Sequence, residues 1–138
     1  MIILDTNLVS ALMNDPVDER VVSWLNRQPQ TSIWTTAVTT LEIDFGLKIM
    51  PIGKTRDGLT HLFESIVAGI GHRVCAFDDH AAQLAADLMA SRRKKGKVVD
   101  LRDTMIAGIV LARHATLATR NVAHFSDIPA TVVNPWTA

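Results

Sequence analysis

Met1-Ile2-Ile3-Leu4-Asp5-Thr6-Asn7 opens the chain. Ile2, Ile3 and Leu4 make a short apolar run rich in β-branched side chains, the pattern of a parallel strand buried on both faces. Asp5-Thr6-Asn7 follows with the residue types that end strands and cap helices. Leu8, Val9, Ala11 and Leu12 then predict a short helix. A buried strand that runs through an acid straight into a helix is how an α/β chain begins.

The alternation continues downstream. Residues 32–35, 73–76, 116–119 and 131–134 read as further strands. Helices are expected from about Pro16 to Asn26, from Thr39 until Pro51, and from Leu59 to Ile70. Another is capped by Asp78-Asp79 and closes on the basic run at Arg92, and a very apolar one starts at Asp100 or Leu101 and includes Met105 to Ala112. Strands separated by helices imply right-handed βαβ crossovers, hence an α/β fold with a mostly parallel sheet flanked by helices on both faces.

With 138 residues, the chain reads as a single domain, residues 1–138, long enough to bury a core without disulfide or metal staples. Lys plus Arg equals Asp plus Glu at 14 each, so overall charge exerts no pull on polyanions and any such site must be a local patch. Cys75 is the sole thiol, which excludes an intrachain disulfide and a Cys-based zinc site. No segment reaches the roughly 20 apolar residues of a membrane span. The N-terminus lacks the basic start of a signal peptide, and Asp5 interrupts its apolar run. These features predict a soluble, cytoplasmic protein with no membrane partner.

Several chemistries find no support. Neither GxxxxGK[ST] nor GxGxxG occurs, and His61, His72, His80, His114 and His124 show no HxxxH or HExxH spacing. No serine stands in a nucleophile elbow. What remains is the placement of acids. In open parallel sheets, ligands bind beyond the carboxyl ends of the strands, where strand order reverses. Asp5 directly follows the first strand, Asn121 lies just past the 116–119 strand, and Glu42 and Asp103 fall in the opening turns of helices.

Two readings of these residues compete. As caps, Asp5 serves the helix behind it, Glu42 completes a Thr39-x-x-Glu42 capping box, and Asp103 plays the same part against Asp100. As a metal site, clustered carboxylates repel one another until a divalent cation relieves them. Oxygen ligands select a hard ion such as Mg²⁺ or Mn²⁺, and such an ion suits phosphodiester hydrolysis by activating water. The capping reading is weakest for Asp5, because an acid ending a buried strand keeps its charge in a costly place.

The ordered blocks Ile3-Leu4-Asp5-Thr6-Asn7, Thr39-Thr40-Leu41-Glu42, Asp103-Thr104-Met105-Ile106-Ala107-Gly108, Ala118-Thr119-Arg120-Asn121-Val122-Ala123-His124-Phe125 and Val133-Asn134-Pro135-Trp136 span nearly the whole chain. In order and spacing they resemble PIN-domain ribonuclease toxins of the VapC type, and within them the FitB-like branch. The resemblance implies a metal-dependent endoribonuclease, the toxin of a type II toxin–antitoxin pair. Asp5, Glu42 and Asp103 would hold Mg²⁺ or Mn²⁺, and Asn121, where the family often has Asp, would position water. Thr6 would contact a carboxylate from behind. The products would carry 5′-phosphate and 3′-hydroxyl ends. The resemblance also implies a homodimer and a small cognate antitoxin that binds DNA.

Arg92, Arg93, Lys94 and Lys95, with Arg120 beside Asn121, are the candidate contacts to the RNA backbone; the alternative for the run is a solvated helix end whose charge offsets the dipole. Asp100 reads as a helix cap. Two rival functions stay open at this point. One is a catalytically silent module that binds RNA or antitoxin in operator-bound complexes; the other is a flavodoxin-like signalling domain with an acidic phospho-acceptor pocket.

Overall fold

All strands pair in parallel, in the order β3-β2-β1-β4-β5. The computed structural model describes residues 1–138. β1 (Ile2–Leu4) leads into α1 (Thr6–Leu12) and α2 (Glu19–Asn26), and β2 (Ile33–Thr36) into α3 (Ala37–Lys48) and α4 (Lys54–Gly69). β3 (Val74–Cys75) precedes α5 (Asp79–Lys94) and α6 (Leu101–Ala112), before β4 (Thr116–Ala118) and β5 (Val132–Val133). The order steps outward from β1 to β3 on one side, then returns to place β4 on β1's other side. The reversal point therefore lies between β1 and β4, which pair with Ile3 opposite Leu117 and Leu4 opposite Ala118.

The alternation of side chains along β1 divides the core. Ile3 and Leu117 pack with Ile106, Ile109, Val110 and Leu88 of α5 and α6, while Leu4 and Ala118 pack with Leu8, Val21, Trp24, Ile43 and Phe63 of α1 to α4. Strands buried on both sides need no polar face, which accounts for the unbroken apolar run of Ile2-Ile3-Leu4. Cys75 is buried as a small apolar side chain.

Several boundaries differ from the sequence expectation. α2 begins at Glu19, capped by the Asp18 carboxylate on the Arg20 N–H, and not at Pro16. α3 begins at Ala37, and its cap is Thr36, whose hydroxyl accepts the Thr39 N–H at 3.1 Å. Thr39 is thus inside the helix, and the expected Thr39–Glu42 capping box does not form. α4 starts five residues before Leu59, at Lys54; its first turn is polar and solvent-facing, so apolar periodicity gives no sign of it. Val122–Phe125 forms a short 3₁₀ turn that no periodicity in the sequence announces.

Candidate active site

Asp5 stands at the carboxyl end of β1, and the backbone register brings it beside Thr119 at the end of β4, with the Asp5 N–H donating to the Ala118 carbonyl at 3.2 Å. Its side chain is 2% exposed. One carboxylate oxygen accepts the Leu8 N–H at 2.9 Å, capping α1; the other accepts the Thr119 hydroxyl at 2.5 Å. Asp5 takes part in none of the chain's ion pairs. Burial pushes its pKa up to about 6; the two hydrogen bonds pull it down, and the charges of Asp103 and Glu42 raise it again. Asp5 is therefore a helix cap whose carboxylate also feels the charge of the other two acids.

Glu42 projects from the second turn of α3. Its Oε1 accepts the Thr6 hydroxyl at 2.8 Å. Thr6 lies 3.0 Å from the Thr39 hydroxyl, which receives the Thr36 hydroxyl at 3.3 Å. A hydroxyl has one proton to give. Since Thr6 gives its proton to Glu42, Thr39 must donate to Thr6 and Thr36 to Thr39. Three threonines from three points of the chain thus aim one ordered row of hydroxyls at Glu42. Thr6 does contact a carboxylate from behind, and the carboxylate is that of Glu42.

Asp103 lies in the first turn of α6, whose cap is Asp100. Asp103 Oδ2 is 3.2 Å from His124 Nδ1 on the 3₁₀ turn. Asn121 opens that turn; its N–H donates to the Thr119 hydroxyl at 3.0 Å, and its side chain caps nothing. Thr119 therefore links Asp5 to Asn121. Asp100 spends its carboxylate on the Arg102 backbone and guanidinium.

The basic candidates separate. Arg93, Lys94, Lys95 and Arg120 are exposed, and Arg120 stacks over Trp136 at 5.1 Å from the ring centroid. Arg92 is corrected: it is 3% exposed, forks onto both Asp127 oxygens at 2.8 and 2.9 Å, and donates to Thr104 Oγ1 and the His124 carbonyl. With its donors committed inside the protein, it is a structural tie and not an RNA contact. The residue that sequence reasoning missed is Arg102, 3.6 Å from Glu42 Oε2. Its place directly before Asp103 was the available signal.

The donor set suits a hard divalent cation: carboxylate oxygens, one of them on a buried acid without a cationic neighbour. The acids do not yet form a cage, since no three metal-binding side chains stand together in coordinating geometry. Each instead holds a protein partner, Leu8 and Thr119 on Asp5, Thr6 on Glu42, and His124 on Asp103.

Comparison with known proteins gives the family of the chain. The PIN domain family matches residues 2–130. "VapC ribonuclease Y4jK" of Sinorhizobium fredii is 35% identical over 137 residues, 99% of this chain and 98% of that protein. "Toxin FitB" of Neisseria gonorrhoeae is 31% identical over 137 residues, covering 99% of each. The solved structure of FitAB bound to the IR36 DNA fragment superposes with a TM-score of 0.89 at 31% identity, over 99% of this chain and 96% of that one. No helix here is long and apolar enough to cross a membrane. A five-stranded parallel sheet of this order, matched over nearly its whole length by such relatives, makes this chain a member of the PIN-domain family, in the company of the VapC and FitB toxins.

Proposed function

We infer that this chain is a metal-dependent endoribonuclease and the toxin of a toxin–antitoxin pair. The observation that carries the reading is Asp5: a buried carboxylate at the β1/β4 reversal point, without a cationic partner, that feels the charges of Glu42 and Asp103. Asp5, Glu42 and Asp103 would hold Mg²⁺ or Mn²⁺. When bound, such an ion activates water for attack on phosphorus and offsets charge developing on the phosphate.

The remaining work belongs to the chain itself. Leu8 N–H and Thr119 Oγ1 fix the orientation of the Asp5 carboxylate. The Thr36–Thr39–Thr6 row keeps one Glu42 oxygen turned toward α1. Asn121, tied through its N–H to Thr119, offers an uncommitted amide at the same rim for a water or phosphate oxygen. His124 holds Asp103. The exposed Arg93, Lys94, Lys95 and Arg120 are available to the RNA backbone, whose contacts set register more than sequence.

An exposed apolar stripe supports a partner surface. Leu41 and Phe45 on α3 and Ile49 at its C-cap recur at four-residue spacing and are 60%, 58% and 68% exposed. Such a stripe beside Glu42 supports a homodimer and a cognate antitoxin, itself DNA-binding, as the FitAB complex with DNA is.

The test is to incubate the purified protein with total tRNA in Mn²⁺ and in chelator. Cleavage in Mn²⁺ alone, lost in Asp5→Asn and Asp103→Asn proteins that still fold, is the expected result. RNA bound but intact under both conditions would instead identify a silent binding module.

A further inference from the structure

We propose that Arg102 is the phosphate-binding arm of the acidic site, a positioning residue that brings the RNA backbone to Asp103 and Glu42. The proposal rests on the ribonuclease reading above. Three carboxylates on one rim repel a polyanion, and the chain as a whole is neutral. RNA approach therefore needs a cation at the rim itself. The ion pairs of the three acids involve two basic groups, His124 on Asp103 and Arg102 on Glu42.

Arg102 is held ready. Asp100 grips Nε at 3.3 Å and Nη2 at 3.2 Å, and the same carboxylate accepts the Arg102 N–H at 2.8 Å. This clamp fixes the plane of the guanidinium and leaves Nη1 on the Glu42 side. Nη1 stands 3.6 Å from Glu42 Oε2, which is beyond hydrogen-bond length. The attraction is electrostatic, and the N–H donors of Nη1 are unspent. The side chain is 53% exposed, so a phosphate can reach those donors. Guanidinium is suited to this because its planar fork matches phosphate oxygens, and its orientation has already been set.

The other cations lack one of these properties; Arg93, Lys94 and Lys95 are exposed but pair with none of the three acids. Arg92 is buried with its donors committed, and Lys97 pairs with Asp127 at 3.4 Å. Arg120 is laid over Trp136. Arg113 lies at the opposite end of α6 and is exposed, which makes it a charge-matched control.

The experiment uses the full chain and fluorescein-labelled tRNA. Binding is followed by anisotropy in EDTA across a salt series, and cleavage kinetics are followed in Mn²⁺. Arg102→Ala is expected to raise Kd and KM about tenfold, as loss of one charged hydrogen bond implies, with kcat changed far less. The slope of log Kd against log salt should fall by about 0.7–0.9, one phosphate's worth. Arg102→Lys should recover part of the affinity, and Arg113→Ala should leave slope and KM as in the wild type. Unchanged Kd, KM and slope in Arg102→Ala would overturn the assignment, as would a lowered melting temperature with the slope intact. A wild-type protein that neither binds nor cuts RNA would overturn the ribonuclease reading and this assignment with it.

Discussion

Thr119 gives its hydroxyl proton to Asp5 across 2.5 Å and receives the Asn121 N–H at 3.0 Å, bridging the two strand ends that flank the reversal point of the sheet. The bond is possible because β1 and β4 pair in a register that sets Leu4 opposite Ala118. One residue further along, an acid and a hydroxyl must meet, both buried. Hydrogen bonding to the charged form of a carboxylate partly repays the cost of burying it.

Thr119→Val keeps the side-chain shape and deletes both bonds. A hydrogen bond to a charged group contributes about 1.5–3 kcal/mol, so we expect a loss of about 2–3 kcal/mol in urea denaturation at pH 7.5. At pH 5, where Asp5 is largely protonated, the loss should shrink. Equal losses at both pH values would mean that the hydroxyl does not serve the carboxylate charge.

Asp5 itself yields a prediction of opposite sign. Its pKa rises from 3.8 to about 6 on folding, so between those values the folded protein binds more protons than the unfolded chain. Stability then falls as pH rises through that window, and the full penalty is present above it. The displacement corresponds to on the order of 3 kcal/mol. Asn replaces one acceptor with a donor, so we expect Asp5→Asn to be more stable than wild type by about 2 kcal/mol at pH 7.5, with the gap closing near pH 4. Added Mn²⁺ should raise the melting temperature of the wild type and not of the variant. A variant less stable than wild type at pH 7.5 would contradict the burial cost.

How much of this could be read from the residues alone follows from the physics of each signal. The parallel sheet was legible because Ile2-Ile3-Leu4 is apolar without alternation, and Asp5, Asp103 and Asn121 stood out because each sits at an element boundary; Glu42, expected in an opening turn, lies in the second turn of α3. Thr36 as the α3 cap was not legible, since Thr36, Thr39 and Thr40 offer the same hydroxyl and only backbone geometry chooses among them. The early start of α4 was hidden by its polar first turn. Arg92 was misread because five cations within residues 92–97 look alike in sequence. What sets Arg92 apart is Asp127, 35 positions away, and no periodicity reports such a pairing.

Arg92 carries its own prediction. It ties α5 to Thr104 in the first turn of α6 and to the Asp127 carboxylate, which it holds well below the usual carboxylate range. A lowered pKa contributes stability that is present above the unfolded value and lost only as pH falls below it. Arg92→Met leaves Asp127 only the more distant Lys97 at 3.4 Å, so it should cost about 3 kcal/mol at pH 7, the lower end for breaking a buried pair. Arg92→Met combined with Asp127→Leu should recover much of that loss, because no buried charge is then left unpaired; Lys97, the other partner of Asp127, is part-exposed and is solvated once released. Additive losses in the double variant would show that packing of the Arg92 stem, and not the ion pair, dominates.

Gly108 decides how closely α5 and α6 can lie. A Cβ built there would stand 2.5 Å from the Ala81 carbonyl oxygen, 2.9 Å from Ala85 Cβ and 3.2 Å from the Ala85 nitrogen. Two of these neighbours are backbone atoms, which cannot swing aside, so α5 and α6 would have to separate. In an ordinary helix interior, Gly→Ala is favourable by roughly 0.5–1 kcal/mol. At Gly108 overpacking, typically about 1–3 kcal/mol, acts against that gain. Contact with a carbonyl belongs at the upper end of the range, so Gly108→Ala should lower stability by about 2 kcal/mol. Gly58, inside α4, supplies the control, because a methyl group there would meet no atom within 4 Å: Gly58→Ala should raise stability. Opposite signs for one substitution in two helices would establish that contact across α5 and α6, and not helix propensity, governs position 108. Because α6 also carries Arg102, Asp103 and Thr104, separation of the helices should weaken the Arg92–Thr104 tie and reduce RNA cleavage beyond what the melting temperature alone explains.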